Sequence, residues 1–496
     1  MPHRDVEANF WPLGRRLNWV AAFRRLVATR QDELIDAMHA DIAKPRFEAL
    51  MGDIAPLLAA CRWTERHGAR ILKPRRLSRG GVLSTAIRGV ITRAPLGRVA
   101  IIATWNYPVQ LLGIELVQAI AAGNRVAVKP SENAPRSQTL LLDLALEAGR
   151  QTRMPDGWLT RTDATREAGA ALLRENVFDH VVFTGSTGVG RAIAETLAPR
   201  LTSSTLELSG RDTALVLDDA DPELAADAIW NGITMNAGQT CMAPRRALVD
   251  EKVYAEFVRR LMARAGAARP LPLVHERAAA ELHAIAVQAH LDGCRSLSGV
   301  VEPPAPDAAG ARRMLRPMVF ADCPRHAAII EGRHFGPLLA VVRMKDLDDA
   351  LALHDTVDQV LATAVFTRDP ARVDAFRERL RSTSVTVNDC LLPTAHAGVG
   401  LSGHGASGWG ITKGEEGLLA MTRPLYTTTT APLLRFSMSS VTPAIEKGMA
   451  RFIRWWFGGA ASGGVAGTRP VEPQKPSDPS TPVDVARPRR PETVGG

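Results

Sequence analysis

Phe183-Thr184-Gly185-Ser186-Thr187-Gly188-Val189-Gly190 carries a short apolar strand through glycines into a helix that the pattern places at Arg191 to Leu197. Glycines at such a junction let backbone N–H groups approach a phosphate, and the helix N-terminus adds a favourable partial charge. The spacing is not the usual G-x-G-x-x-G, and glycine-rich helix starts also occur without a ligand. Working outward, Val99 to Ala103, Val126 to Val128, His180 to Phe183 and Leu215 to Leu217 are apolar throughout and alternate with helical stretches. Such strands predict a parallel sheet covered on both faces, with ligands beyond the carboxyl ends of the strands. The fold class is read as α/β.

The chain has 496 residues, 46% of them hydrophobic, enough for large cores in two or three domains. Five cysteines (Cys61, Cys241, Cys294, Cys323, Cys390) stand far apart without a CxxC pair, which argues against a disulfide framework, a zinc ribbon or any metal site and for a reducing compartment. Met1 to Glu7 carries charges of both signs and leads to no apolar core of a signal, and no run approaches the roughly twenty apolar residues of a spanning helix. A cytoplasmic protein is expected. The net charge of +9 is largely arginine dispersed among apolar positions, not the basic and aromatic stripe of a nucleic-acid surface.

Leu17, Val20, Phe23, Val27, Leu34, Met38 and Ile42 recur at helical spacing and predict one or two amphipathic helices, and a second helical run spans about Phe47 to Arg70. Gly80 to Arg93 is glycine-punctuated and β-prone, a candidate hairpin. After Cys241 the α and β alternation continues to about Asn388, Gly398 to Gly417 reads as a loop, and Leu425 to Thr430 as a late strand.

The chemically loaded stretch is Asn236-Ala237-Gly238-Gln239-Thr240-Cys241, read with Thr205-Leu206-Glu207-Leu208. A cysteine after a Gly-Gln turn and a lone carboxylate in an apolar strand suggest a thiol nucleophile and a separate base. A free cysteine is by default a small buried hydrophobe, so the pair needs companions. Two more segments follow strand ends: Thr104-Trp105-Asn106-Tyr107-Pro108, which offers an amide, and Val128-Lys129-Pro130-Ser131-Glu132, which offers a cation and a carboxylate.

Trp105-Asn106-Tyr107-Pro108, Lys129 to Glu132, Phe183 to Thr187, Glu207-Leu208-Ser209-Gly210 and Gly238 to Cys241 together resemble the aldehyde dehydrogenase superfamily in order and spacing, over roughly residues 10 to 430. The forms W-N-Y-P, G-Q-T-C-x-A-P and Val387-Asn388-Asp389 are similar to the class 3 and fatty- or coniferyl-aldehyde branch. The resemblance implies a Rossmann-type cofactor domain at 1–209 with an oligomerisation hairpin at 78–95, and an α/β catalytic domain at 210–387. A return segment and small β oligomerisation strand would follow at 388–430, then an amphipathic extension at 431–458 and a disordered tail at 459–496. It implies Cys241 as thiolate nucleophile, Asn106 and the Cys241 N–H as oxyanion donors, and Glu207 as the base that hydrolyses a thioester. It also implies a dinucleotide held by Trp105, Lys129, Ser131, Glu132, Gly185, Ser186, Gly190 and Phe335, and a homodimer. Glu132 can accept from a ribose 2′-OH and repel a 2′-phosphate, favouring NAD, while Lys129 beside it leaves NADP open.

The family's E-x-F-G-P reads Arg333-His334-Phe335-Gly336-Pro337 here, a cation where a ribose acceptor is usual. Ser209 and Arg211 stand within the usual E-L-G-G-K, Thr213 replaces a proline, and Ala395-His396-Ala397-Gly398 replaces P-F-G-G. These changes predict altered nicotinamide positioning and slow turnover. At the C-terminus, Ile445, Met449, Phe452 and Trp456 share one helical face and Lys447, Arg451 and Arg454 another, which suits a membrane interface or a protein surface equally. The expected function is NAD(P)-dependent oxidation of an apolar aldehyde, long-chain or aromatic, to its acid; the rival is a degenerate relative serving as a membrane-docked scaffold.

Overall fold

The computed structural model describes residues 11–78, 87–299, 311–430 and 441–458. It divides into a unit of Met1–Thr429 and a second of Thr430–Gly496, described separately below. The leader reading at residues 1–7, the turn of the expected hairpin at 79–86 and the expected disordered tail at 459–496 lie outside the described residues.

The apolar spacing near the N-terminus produces helices Leu13–Thr29 and Gln31–Ile42, which bury Trp19, Val20, Phe23 and Val27 and then Leu34, Ile35 and Met38. Trp19 stacks on Phe23 with centroids 5.1 Å apart and meets the edge of Trp158 at 5.4 Å. A further helical run proceeds through Arg46–Ala49 and a π-turn at Leu50–Ile54 into Ala55–Leu72. It stops where Lys73 turns extended before Pro74, because proline disfavours helical backbone in the residue preceding it.

Six strands form one sheet in the order Gly408–Trp409, Ser203–Leu208, His180–Gly185, Arg98–Ile102, Arg125–Lys129, Leu159–Arg161. All neighbours are parallel except the first pair. Side chains alternate across a strand, so Val99 and Ile101 join the core with the N-terminal helices while Ala100 and Ile102 join Val181, Ile193 and Leu206 on the other face. Burial on both faces explains why the central residues of Arg98–Ile102, Arg125–Lys129 and His180–Gly185 are apolar on both sides.

Leu215 to Leu217, expected in the same sheet, belongs to another. Strand Asp212–Val216 lies within seven strands ordered Arg295–Ser296, Met318–Ala321, Leu338–Met344, Pro244–Asp250, Asp212–Val216, Ala362–Phe366, Ser384–Val387. Only Arg295–Ser296 runs antiparallel to its neighbour. Ser209, Gly210 and Arg211 take the chain from one sheet to the other. Two buried apolar strands have the same pattern whichever sheet they enter, so periodicity could not separate them.

Gly398 to Gly417 is likewise more ordered than a loop. Leu401–Ser402 pairs with Ile411–Thr412, Gly408–Trp409 closes the first sheet against Ser203–Leu208, and Gly414–Ala420 is a helix. Strands of two residues have no period to read; their hydrogen-bond partners come from elsewhere in the chain. The late strand, Thr422–Thr430, completes a three-stranded sheet in the order Arg75–Arg76, Ile87–Pro95, Thr422–Thr430.

In the second unit, helix Pro443–Phe457 is capped by Thr442, whose hydroxyl accepts from the Ile445 N–H at 3.4 Å. Phe452 and Trp456 stack at 6.0 Å and Trp455 lies 5.6 Å from Trp456; Trp455 is 72% exposed. Among the described residues, no helix is long and apolar enough to cross a membrane.

Candidate functional site

Three successive residues, Asn236 (φ +52°), Ala237 (φ +53°) and Gly238 (φ +67°), hold left-handed backbone just before Cys241. A Cβ on Gly238 would come within 2.5 Å of the Gly336 carbonyl carbon, so the Gly-Gln turn and the Phe335-Gly336-Pro337 segment are in backbone contact. Strained backbone persists only where its surroundings over-determine it. Here the buried Arg245 does so: Nη1 donates to the Gly238 carbonyl at 2.8 Å and the Gly336 carbonyl at 3.2 Å, and Nη2 to the Thr240 carbonyl at 2.7 Å. Its guanidinium also lies 5.3 Å over the Phe335 ring.

Asn106 is bonded to the same turn. Its Nδ2 donates to the Gln239 carbonyl at 3.1 Å, its Oδ1 accepts from Thr104 Oγ1 at 3.1 Å, and its carbonyl accepts from Asn236 Nδ2 at 2.9 Å. Tyr107 and Thr240 hydroxyls share a 2.7 Å hydrogen bond. The buried pair Lys44–Asp53 (2.6 Å) supports this segment, since Lys44 Nζ donates to the Asn106 carbonyl and Asp53 accepts from the Val109 and Gln110 N–H groups. The Gly238, Gln239 and Thr240 carbonyls of the turn thus each find a donor, as a dry site demands.

Glu207 sits near the carboxyl end of strand Ser203–Leu208, 8% exposed, and accepts from the Thr412 hydroxyl. Burial pushes its carboxyl up to about 7, against the pull of Thr412 and Lys413. Cys241 is half-buried, and burial, then the Glu207 and Asp212 carboxylates, push its thiol up to about 12. Burial, reinforced by the two carboxylates, thus outweighs the cation at Arg245 and opposes the thiolate form expected of Cys241.

The expected cofactor residues fall into two groups. Trp105 and Phe335 meet edge to face at 5.9 Å beside a cavity of about 460 Å³, lined also by Ser186, Arg211, His275 and Arg333. Ser186 is the N-cap of helix Thr187–Leu197 and makes no capping bond with its side chain. Lys129, Ser131 and Glu132 lie one strand further, at the end of Arg125–Lys129. Glu132 bonds Lys129 Nζ at 2.9 Å and Arg166 Nε at 2.8 Å, and although burial opposes it, these bonds and its own N–H hold the carboxyl down at about 2. Ser131 donates its N–H to Gln138 Oε1 at 2.6 Å. Gly185 and Gly190 serve close packing: a Cβ on Gly190 would lie 2.6 Å from Leu208, and one on Gly185 would be 2.5 Å from the Phe183 ring.

The bare helix start, strand ends opening together and the Lys129–Glu132 pair fit a dinucleotide. At the departing positions, Arg333 pairs with Glu331 at 2.6 Å while its side chain stays 67% exposed. Burial and then Arg333 push the Arg211 guanidinium down, which places two cations at one end of the cleft. Thr213 is explained by Arg246, a buried arginine whose Nε donates to the Thr213 hydroxyl at 2.9 Å; proline has no such acceptor. Sequence reasoning missed Arg245 and Arg246, although two charges inside Pro244–Asp250, an otherwise apolar strand, were a visible signal.

Residues 6–426 match the Aldehyde dehydrogenase family. The chain is 32% identical over 418 residues to a probable coniferyl aldehyde dehydrogenase of Pseudomonas aeruginosa, covering 82% of this chain and 85% of that one. It is 29% identical to aldehyde dehydrogenase family 3 member A2 of Mus musculus, covering 82% of each. Among solved structures, an E. coli NADP dependent enzyme superposes with a TM-score of 0.78 at 26% identity, over 85% of this chain and 87% of that one. The sequence motifs, the two-sheet α/β fold and these likenesses agree, and the chain belongs to the aldehyde dehydrogenase family, in its class 3 and coniferyl-aldehyde branch.

Proposed function

We propose that the protein oxidises an apolar aldehyde to its carboxylic acid with NAD or NADP as oxidant. The observation that carries this reading is the hydrogen bond from Asn106 to the Gln239 carbonyl, which joins an amide donor to the turn bearing the only half-exposed cysteine among those described. The Cys241 sulfur attacks the carbonyl carbon as its proton passes to solvent water. The second Asn106 N–H and the Cys241 N–H stabilise the oxyanion. A nicotinamide, when bound, would supply the two-electron oxidant by accepting the hydride from the adduct carbon, and Cys241 would then hold the acyl group as a thioester. Glu207 then takes a proton from water, the hydroxyl adds to the thioester carbon, and the acid leaves as Cys241 regains its proton.

The presence of Glu207, a carboxylate able to activate water, supports an acid product over transfer to another acyl acceptor. The named coniferyl aldehyde relative supports an apolar or aromatic substrate. Ser186 and the Thr187–Leu197 helix start would hold the pyrophosphate, Trp105 and Phe335 would flank it, and Lys129, Ser131 and Glu132 would take the adenosine ribose. Arg166 offsets the repulsion that Glu132 alone would exert on a 2′-phosphate, which supports use of both cofactors. The test is formation of reduced nicotinamide across aliphatic and aromatic aldehydes with either cofactor; no turnover with any of them would favour the scaffold reading.

Arg333→Glu should tighten NAD binding by about 3–10-fold and raise turnover, since a carboxylate restores a ribose acceptor and gives Arg211 a partner. Unchanged affinity in a calorimetric titration would refute the idea that Arg333 weakens nicotinamide positioning. Thr422–Thr430 exposes Leu425 and Tyr426 and supports homodimerisation through the three-stranded sheet. Leu425→Glu should shift the mass seen by light scattering from dimer to monomer. The exposed aromatic cluster of Pro443–Phe457 beside Arg451 and Arg454 supports peripheral binding to anionic membrane. Removing residues 443–496 should abolish pelleting with anionic liposomes and leave aldehyde oxidation intact.

A further inference from the structure

Glu207 stands among ionisable side chains, two of which, Glu115 and Lys413, have no part in the reaction above. Its charge is felt by Glu115 on helix Gln110–Ala122, by Lys413 in the turn after Ile411–Thr412 and by the Cys241 thiol on the nucleophile turn. Thr184 is the register partner of Glu207 on the neighbouring parallel strand, and its hydroxyl donates to Glu115 Oε1 at 3.1 Å. Thr412 bonds Glu207 from the opposite element, and the next residue is Lys413.

Lys413 is unusual in two respects. It is 1% exposed, and its backbone has φ +64°, a region that a side chain of this size rarely enters. No salt bridge among the described residues holds it. Its N–H donates to Gln118 Oε1 at 2.9 Å, its Nζ donates to the Thr394 carbonyl, and Gln118 Nε2 donates to the Gly414 carbonyl at 3.2 Å. Gln118 and Glu115 lie one turn apart on the same helix, so that helix supports both sides of the cluster. A buried lysine in strained backbone, held by hydrogen bonds to Gln118 and Thr394 and balanced only by the field of Glu207, is a costly arrangement.

We propose that Lys413 is a positioning residue that keeps Glu207 ionised and ready to take a proton, while Glu115 stays protonated so that one cation faces one anion. This rests on Glu207 being the base for thioester hydrolysis. A single charge pair is tolerable in a dry site; a second carboxylate without a second cation is not. The electrostatics agree from each member: burial pushes Lys413 down to about 8 while Glu207 pulls it up, Lys413 lowers Glu207, and burial followed by Glu207 raises Glu115 well above the carboxylate range.

Hydrolysis of p-nitrophenyl acetate by the full-length chain without cofactor tests this. The nitrophenolate burst reads acylation of Cys241, and the steady rate after it reads deacylation. In Lys413→Met the burst should persist while the acidic midpoint of the deacylation profile rises by about one pH unit or more. The rate at pH 7 should then fall on the order of tenfold. Lys413→Arg, which keeps the charge, should hold the wild-type midpoint and controls for misfolding. Glu115→Gln, a neutral isostere, should leave the midpoint in place. An unmoved midpoint in a folded Lys413→Met chain would overturn the role of Lys413, and a downward shift in Glu115→Gln would show that Glu115 is charged. Absence of a burst in the wild-type chain would count instead against the thioester reading itself.

Discussion

Cys241→Ala will abolish aldehyde oxidation, a loss of roughly 10⁴-fold or more in kcat, with cofactor binding unchanged. The size follows from chemistry: no other described side chain can form the thioester, because Cys61, Cys294, Cys323 and Cys390 are buried. Burial and the Glu207 charge hold the thiol up at about 12, so attack must be coupled to proton loss. Iodoacetamide labelling therefore reads Cys241 alone, and its rate should climb steeply with pH. Residual oxidation above about 1% of wild type in the alanine variant would remove Cys241 from the mechanism.

The second large effect belongs to Glu207→Gln. Steady-state oxidation should drop about 10²–10⁴-fold, while a single equivalent of reduced cofactor still forms in a burst, because the amide spares acylation and removes the base. In the wild-type chain the carboxyl must be ionised to accept a proton. Activity should therefore rise with pH through about 7 and be lost as the pH falls below it. Labelling of Cys241 should become faster in this variant, since the Glu207 charge is one of the causes that raise the thiol. Slower labelling would mean that Glu207 deprotonates the thiol and not water.

Much of the candidate site could be read locally. Asn106, Glu207 and Cys241 each follow an apolar strand or turn whose residues occur in family order, and their types match nucleophile, donor and base. What could not be read was supplied across the chain. Thr412 and Lys413 lie about 200 residues from Glu207 in sequence, in a stretch whose two-residue strands carry no periodic signal. Arg245 is visible as a charge in an apolar strand, but only folding shows that it satisfies carbonyls of both the Cys241 turn and Gly336.

By itself, the sequence determined the α/β class, the main strands of the first sheet and the N-terminal helices, and the residue types able to do aldehyde chemistry, because periodicity, turn residues and motif spacing are local properties. Tertiary structure decided which sheet Asp212–Val216 joins, that Gly398 to Gly417 closes the sheet against Glu207, and the burial and neighbouring charges that shift Cys241, Glu207 and Lys413 from their ordinary values. Strand partners and pKa values both depend on what is brought near from distant sequence, and burial sets their energies only once the chain has packed.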